Sequence, residues 1–353
     1  MDVCICGASA VELWRIWRLA GSRGLVNMGL RPSAAFLRNW RDCIWNGEPP
    51  AFEAPSEQWL AMLTDTDELG LSAPIDLYVS PRLPRRFALR KTSHVLPSPL
   101  PTRSLVQVSE HVFVTTPELS LALTCEKLSR AEAVRLLFEF CGRYAADPGN
   151  DGGFVGCEPL TSTDELRLFT AAESGTRGAS ATAGHLPFVC DGCASPMEAA
   201  MVAALCLPLR NGGYGLELPQ ANAPILPTDT ARPLMDRRYY VGDAVWPQHR
   251  VVAEYDSKAE HANQNAVAHD NVRRTALEAL GYHVVNVTLP ALANPQLLDK
   301  IARDLFKRLG KRLRLERFGA AWRARQRELQ RELLDVPLRW LRLCRAEEDA
   351  GRA

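Results

Sequence analysis

The pattern of hydrophobic positions predicts a β-hairpin in the second half of the chain. Two runs rich in β-branched and aromatic residues, 239–246 and 250–256, flank a proline-containing turn, which is typical of a strand–turn–strand unit. Glu254 and Asp256 are two positions apart on the second run, so we expect their side chains on one face. Asp243 on the first run lies level with them if the turn is tight. The hairpin therefore predicts three neighbouring carboxylates.

The elements around the hairpin predict a mixed sheet with helices packed against it. Ser195 is the expected N-cap of a helix that begins at Pro196 and carries Glu198 at the capping-box position. A weak strand at 222–226 precedes the hairpin. After it we expect a helix, a buried strand and a closing amphipathic helix, at 263–281, 282–288 and 295–309. A strand, a helix and a returning strand imply a crossover connection.

The first half predicts a second α/β unit. A helix is expected at 9–17, with Ser9 as N-cap and Glu12 three residues later. Strands are expected at 74–79, 105–108 and 111–115, and helices at 117–128 and 131–144. Thr116 is the predicted N-cap of the first of these two helices.

Loop composition sets the predicted domain boundaries. Residues 147–153 and 175–184 are rich in Gly, Ser, Thr and Asn. We therefore predict an N-terminal α/β domain at 1–150, a linker at 151–190, a second domain at 191–310 and a basic helical extension at 311–353. The fold class is α/β (α+β), with a mixed sheet flanked by helices in the second domain.

Charge distribution is more informative than net charge. The chain of 353 residues carries 42 Lys and Arg against 41 Asp and Glu. From Lys300 to the end, however, the bases number sixteen and the acids eight. A basic C-terminal end favours a polyanionic partner such as DNA. The alternative is an ordinary solvated helix face.

The lack of a recognisable membrane span or signal peptide, together with the pattern of cysteines, predicts a cytoplasmic protein. No apolar run is long enough for a membrane span, and the first residues lack the pattern of a signal peptide. The ten cysteines are scattered, so buried reduced thiols are expected rather than disulfides. Cys4-x-Cys6 and Cys190-x-x-Cys193 lie too far apart along the chain for zinc-finger spacing.

The predicted carboxylate cluster favours a divalent cation. Asp243, Glu254 and Asp256 repel one another if they are close, and a cation offsets that cost. Hard oxygen ligands suit Mg²⁺ or Mn²⁺. The alternative is that the three acids are solvated residues of an edge hairpin.

The order of these motifs resembles the PD-(D/E)XK nuclease superfamily, in particular members related to very-short-patch-repair endonucleases. The resemblance covers about 195–309. The matching residues are Glu198, Asp243, Glu254-Tyr255-Asp256, His261, Asp270 with Arg273, and the run GYHVVNVT at 281–288. It implies that Asp243 and Glu254 are the principal metal ligands, that Glu198 joins them, and that a metal-dependent phosphodiesterase acts on DNA.

One position departs from the superfamily pattern. Asp256 stands where a lysine commonly follows the glutamate by two residues. Lys258 lies two residues further on, and His261 is a candidate general base or acid. Purely structural roles are the alternatives for three of the matching residues. Glu198 is then a helix-capping residue, His261 a surface residue, and Arg273 the partner of Asp270 in a helical ion pair.

The first half has a weaker likeness to AbiEi-like antitoxins of abortive-infection systems. It rests on the run TTPEL at 115–119, the following helix, and CGRY at 141–144. We therefore expect a Mg²⁺-dependent DNA endonuclease or nickase in defence or repair. The alternatives are an antitoxin-like regulator that binds DNA or a toxin without cutting, and an inactive nuclease fold that binds protein. The sequence predicts no oligomeric state.

Overall fold

The computed structural model of the chain describes residues 2–23, 39–53, 55–64, 71–72, 74–80, 91–94, 100–147, 150, 153–226, 232, 238–256 and 273–334. Two compact units share the chain. Of the residues that the structure describes, those within 1–129 and 144–187 form unit 1, and those within 130–143 and 188–335 form unit 2.

Both units contain helices and strands. The strands are β1 Val3–Ile5, β2 Ile75–Tyr78, β3 Lys91–His94, β4 Leu105–Ser109, β5 Val112–Thr115, β6 Tyr144–Ala146, β7 Phe154–Gly156, β8 Gln220–Ile225, β9 Tyr240–Trp246, β10 Val251–Tyr255 and β11 His283–Val287. The helices are α1 Gly7–Arg23, α2 Glu57–Thr64, α3 Pro117–Cys125, α4 Arg130–Cys141, α5 Thr163–Ala172, α6 Ala179–Ala183, α7 Pro196–Cys206, α8 at 273–279, α9 Leu289–Ala293, α10 Pro295–Arg308 and α11 Ala320–Leu334. Short 3-10 turns occur at Trp40–Cys43, Leu186–Phe188, Leu209–Asn211, Pro247–His249 and Leu315–Arg317.

Unit 1 is built on a five-stranded sheet with the order β3-β2-β1-β5-β4. β1 lies at its centre, antiparallel to β2 and parallel to β5. All three residues of β1 are buried. The sequence pattern did not predict this strand, because three apolar residues buried on both faces show no alternation. The β4–β5 pair, by contrast, was predicted and is confirmed.

Helix α1 begins at Gly7, two residues before the predicted start. The Asp76 carboxylate accepts a 3.0 Å hydrogen bond from the backbone N–H of Ala8, and the Ser9 hydroxyl accepts one from the N–H of Asp76. Ser9 therefore lies inside the helix and the prediction that it is the N-cap was wrong. A residue 68 positions away satisfies the helix terminus, which local sequence cannot indicate.

Unit 2 contains the predicted hairpin. β9 and β10 are antiparallel and form the centre of a four-stranded sheet with the order β11-β10-β9-β8. β11 runs parallel to β10 after a crossover that includes α8. Val245 and Val252 pack with Leu277 and Leu280 in one buried cluster. The mixed α/β class is confirmed.

Helix α7 packs against β9 and β10 and also contacts α4 and α11. Its residues from Ala199 to Cys206 are all buried. A buried polar group anchors α11 inside unit 2: Tyr214 donates a 2.7 Å hydrogen bond to Asp299, and Gln326 donates to the Tyr214 hydroxyl at 2.6 Å. The N-terminal cap of α7 at Ser195 is confirmed, since its side chain accepts from the Glu198 N–H.

The boundaries of the two units differ from the predicted domain limits. The region 151–190, predicted as a linker, contains α5 and α6, whose residues pack in unit 1. Helix α4 precedes the predicted boundary yet belongs to unit 2, and α11 packs in unit 2 rather than forming a separate extension. Loop composition identifies segments rich in Gly, Ser and Thr, but the unit to which a helix belongs depends on long-range packing, which composition does not indicate.

Candidate functional site

The register of the second sheet places four polar residues at one level across its strands. They are Asn222 on β8, Asp243 on β9, Glu254 on β10 and Asn286 on β11. The pairs that fix this register are Ala221–Ala244, Ala223–Gly242, Ala253–Ala244 and Glu254–Asn286. The predicted proximity of Asp243 and Glu254 therefore follows from strand pairing.

The sheet bends where Asn222 and Asp243 lie. A Cβ atom on Gly242 would stand 2.7 Å from a methyl group of Val245 and 2.9 Å from one of Val252. Residues three apart on an extended strand are about 10 Å apart, so this approach shows that β9 is bent at Asp243. Asn222 has a φ of +47°, a conformation that asparagine tolerates better than most residues. Such irregularities redirect side chains from the regular alternation.

Asp243 is a largely buried carboxyl group with a neighbouring negative charge. The backbone N–H of Tyr255 donates a 2.8 Å hydrogen bond to its Oδ2. Burial, and after it the charge of Glu198, raise the pKa of Asp243 from 3.8 to about 6. The hydrogen bond from Tyr255 and the charge of Arg273 act in the opposite direction. A positive charge beside Asp243 would therefore favour its ionised form.

Glu198 reaches this place from the first turn of α7. Its Oε2 accepts hydrogen bonds from the N–H of Ala194 at 2.8 Å and from the side-chain amide of Asn222 at 2.7 Å. Its Oε1 accepts from the Ser195 hydroxyl at 3.0 Å. The capping role and the position near Asp243 thus coexist in one residue.

Glu254 pairs with Arg273 at the start of the helical stretch α8. The guanidinium donates to Glu254 Oε1 at 2.5 Å and also to the backbone carbonyl of Val241. The two side chains are 15% and 29% exposed, so solvent weakens this ion pair only partly. Asp256 follows the end of β10 and is half-buried, and its N–H donates to the carbonyl of Val287.

Three of the residues named in the sequence analysis lie outside the described residues: Lys258, His261 and Asp270. The roles predicted for them stay predictions. Two residues of the site were not assigned to it by the sequence. No local sequence pattern identifies Asn222 as a site residue, because only the strand register places it level with Asp243. Arg273 was predicted to pair with Asp270 on its own helix, whereas in the structure it pairs with Glu254.

The side-chain oxygens at this site are of the chemical type that binds a hard cation. Carboxylate oxygens of Asp243, Glu254 and Glu198 are the ligand type that Mg²⁺ or Mn²⁺ prefers. Burial and the charge of Glu198 raise the pKa of Asp243, and a bound cation would act in the opposite direction. Within the ranges that the structure describes, no three His, Cys, Asp or Glu side chains are grouped closely enough to hold a metal ion. Arg273 already contributes one cation to the site.

A basic surface lies on the same unit. Lys300, Arg303 and Lys307 are exposed and share one side of α10 by helical spacing. Five further bases follow between 308 and 317: Arg308, Lys311, Arg312, Arg314 and Arg317. We call these eight residues the basic surface. Arg308 pairs with Asp304 and Lys311 with Glu217.

Comparison with known proteins identifies no relative. Among the helices that the structure describes, none has the length and apolar character needed to cross a bilayer. No protein-family model, curated protein or solved structure matches the chain.

Proposed function

We propose that unit 2 is a Mg²⁺-dependent DNA endonuclease or nickase of the PD-(D/E)XK type, with a role in defence or DNA repair. The observation that carries the proposal is the pair Asp243 and Glu254 on adjacent strands, with Glu198 near enough to raise the pKa of Asp243. Gathering carboxylates in a half-buried place is costly without a cation.

Asp243, Glu254 and Glu198 are the residues that would hold the ion. When bound, Mg²⁺ supplies charge stabilisation for a phosphodiester and activates a water molecule. The N–H of Tyr255 orients the Asp243 carboxylate, and Asn222 and Ala194 orient that of Glu198. Arg273 adds a positive charge at the same place, which favours an incoming phosphate.

A non-catalytic, antitoxin-like regulator that binds DNA or a toxin is the second candidate. A specific observation favours it: Arg273 already neutralises Glu254, and three donors of the chain already satisfy Glu198. In that case the carboxylates form a structural polar cluster, and DNA or protein binding relies on surfaces such as the basic surface.

Plasmid nicking separates the two functions. Supercoiled DNA is incubated with the full chain, with Asp243→Ala, with Glu254→Ala, and with Glu316→Ala, which removes an exposed carboxylate of the same unit. The nuclease predicts Mg²⁺- or Mn²⁺-dependent nicking that the first two variants lose and the third keeps. Absence of nicking with either ion, together with DNA binding that survives a chelator, would support the regulator instead.

A further inference from the structure

Two cysteines meet in a tight turn just before α7. Cys190 and Cys193 enclose a turn at Asp191 and Gly192, and Gly192 has a φ of +91°, which only glycine adopts without strain. The residues that bound a β-turn are less than about 7 Å apart. Disulfide bonds span Cα separations of about 4.4–6.8 Å, so the backbone spacing suits one.

The two thiols are neighbours and differ in exposure. The Cys190 thiol is a hydrogen-bonding partner of Cys193, and this contact together with burial raises the pKa of Cys193. Cys190 is half-buried and Cys193 is fully buried. All nine cysteines in the described part of the chain are free thiols. The accessible thiol is therefore the one that a reagent from solution meets first.

Hydrogen bonds connect this turn to Glu198. The side-chain amide of Asn222 donates both to the carbonyl of Gly192 at 3.1 Å and to Glu198 at 2.7 Å. The N–H of Ala194, the residue after Cys193, donates to the same carboxylate oxygen. The far side of the turn is fixed, because the N–H of Gly192 donates to the carbonyl of Cys141 and the N–H of Arg143 donates to that of Cys193.

We propose that Cys190 and Cys193 form a redox-active dithiol whose oxidation rearranges the hydrogen bonds of Glu198. The inference does not depend on nuclease activity, because it concerns thiols and hydrogen bonds that are present in either proposed function.

The oxidant is a low-molecular-weight disulfide. The Cys190 thiol loses its proton and the thiolate attacks one sulfur of the small disulfide, so that a mixed disulfide forms and one small thiolate leaves and takes up that proton. The Cys193 sulfur then attacks the Cys190 sulfur, the mixed disulfide breaks, and the second small thiol leaves with the Cys193 proton. Two electrons pass from the protein dithiol to the small disulfide, which is reduced to two thiols.

A disulfide between Cys190 and Cys193 is expected to change the hydrogen bonds that Glu198 accepts. Joining Cys190 to Cys193 brings their Cβ atoms to about 3.8 Å. Bond formation draws the two sulfurs together to about 2.05 Å, and we expect the Gly192 carbonyl and the Ala194 N–H, which lie within or next to the closed ring, to move as the ring closes. Oxidation is thus expected to weaken the donors from Ala194 and Asn222 to Glu198, at the N-terminus of α7.

Mass spectrometry and hydrogen exchange test the proposal on the full chain. The protein is equilibrated with oxidised glutathione, and we expect the peptide containing both cysteines to lose two hydrogens. Cys190→Ser and Cys193→Ala should abolish this loss, while Cys206→Ala, which removes a nearby buried thiol, should keep it. The amides of Ala194 and Glu198 should exchange about tenfold faster in the oxidised protein.

Each other outcome counts against the proposal. A mass loss that persists in Cys190→Ser, or that Cys206→Ala removes, would assign the oxidation to a different pair. No mass loss in the full chain at any ratio of oxidised to reduced glutathione would overturn the dithiol. Formation of the disulfide with unchanged exchange at Ala194 and Glu198 would overturn its connection to the carboxylate.

Discussion

The backbone N–H of Tyr255 donates a 2.8 Å hydrogen bond to the Asp243 carboxylate across the β9–β10 pair. A side chain thus occupies the place where the regular ladder of backbone hydrogen bonds ends, since the paired residues of these strands stop at Ala253 and Ala244. The interaction fixes Asp243 but does not offset its burial, because its pKa is still raised to about 6.

Replacing Asp243 by Asn is expected to stabilise the metal-free protein above pH 6. The pKa of Asp243 rises from 3.8 to about 6 on folding, so the folded protein binds more protons than the unfolded chain between these values. Stability therefore falls as pH increases through this window. Asn keeps an acceptor for Tyr255 and removes the charge. We expect a gain of up to about 3 kcal/mol at pH 8.

Urea unfolding at pH 4 and pH 8 measures this effect. The parent should lose more stability between the two pH values than Asp243→Asn does, in the presence of a chelator. Glu316→Gln serves as the matched control, since it removes an exposed carboxylate of the same unit. Equal pH dependence of the parent and Asp243→Asn would contradict the raised pKa.

Magnesium should raise the melting temperature through Asp243 and Glu254. A ligand that binds only the folded state stabilises it by mass action, by about 2.7 kcal/mol at one hundred times its dissociation constant. Asp243→Ala and Glu254→Ala should each abolish the rise in melting temperature, whereas the metal-free proteins still fold. A rise in Asp243→Ala as large as in the parent would show that the ion binds elsewhere.

Arg273 should act as the built-in cation of the site. Replacing it by Gln leaves Glu254 without its 2.5 Å partner and removes a charge that lowers the pKa of Asp243. We expect a loss of about 2 kcal/mol in the free energy of unfolding, part of which Mg²⁺ should restore. Arg274→Gln, on the next residue, removes an exposed 4.0 Å pair with Glu278 and should cost less than about 1 kcal/mol.

Comparing the Mg²⁺ dependence of Arg273→Gln and Arg274→Gln discriminates between the two proposed functions. The nuclease predicts that Mg²⁺ and Arg273 compete for the carboxylates, so the dissociation constant for Mg²⁺ should fall in Arg273→Gln. If neither variant responds to Mg²⁺, the carboxylates form a structural cluster that the arginine alone neutralises.

Sequence patterns predicted the elements of the site better than its contacts. The hairpin, the N-cap at Ser195 and the crossover strand followed from runs of β-branched and aromatic residues and from capping chemistry, which are local. The contact of Asn222 with Glu198 and that of Arg273 with Glu254 depend on register and on a crossover. Those contacts join residues 24 and 19 positions apart, beyond the reach of any local pattern.

Unit 1 shows the same limit more strongly. Its central strand, β1, is three buried residues long, and its first helix is capped by Asp76 from β2. Both features are set by tertiary packing. Ser9 and Glu12 fit a capping box by spacing alone, yet Ser9 accepts from Asp76 and Glu12 accepts from Ser72. The spacing of Ser9 and Glu12 is compatible with a capping box, but it does not determine which groups these side chains bond to.

The hydroxyl of Tyr214 should anchor α11. It donates to Asp299 and accepts from Gln326, both buried. Tyr214→Phe leaves these two partners without the hydroxyl, and we expect a loss of about 1–3 kcal/mol in the free energy of unfolding. Tyr239→Phe is the matched control, because that tyrosine is 47% exposed. Combining Tyr214→Phe with Gln326→Leu should cost less than the sum of the two single changes.

The basic surface should bind nucleic acid through phosphate contacts. Lys300 and Lys307 are exposed on one side of α10, and each phosphate contact adds about 0.9 to the slope of log affinity against log salt for duplex DNA. Lys300→Gln with Lys307→Gln should therefore reduce the slope by about 2 and weaken binding most at low salt. The matched control is Arg103→Gln with Lys127→Gln, which removes two exposed charges from unit 1.

Fluorescence anisotropy with a labelled DNA duplex, in the presence of a chelator that prevents cleavage, measures both slopes. Equal slopes for the two double variants would show that any DNA binding depends on overall charge rather than on this surface.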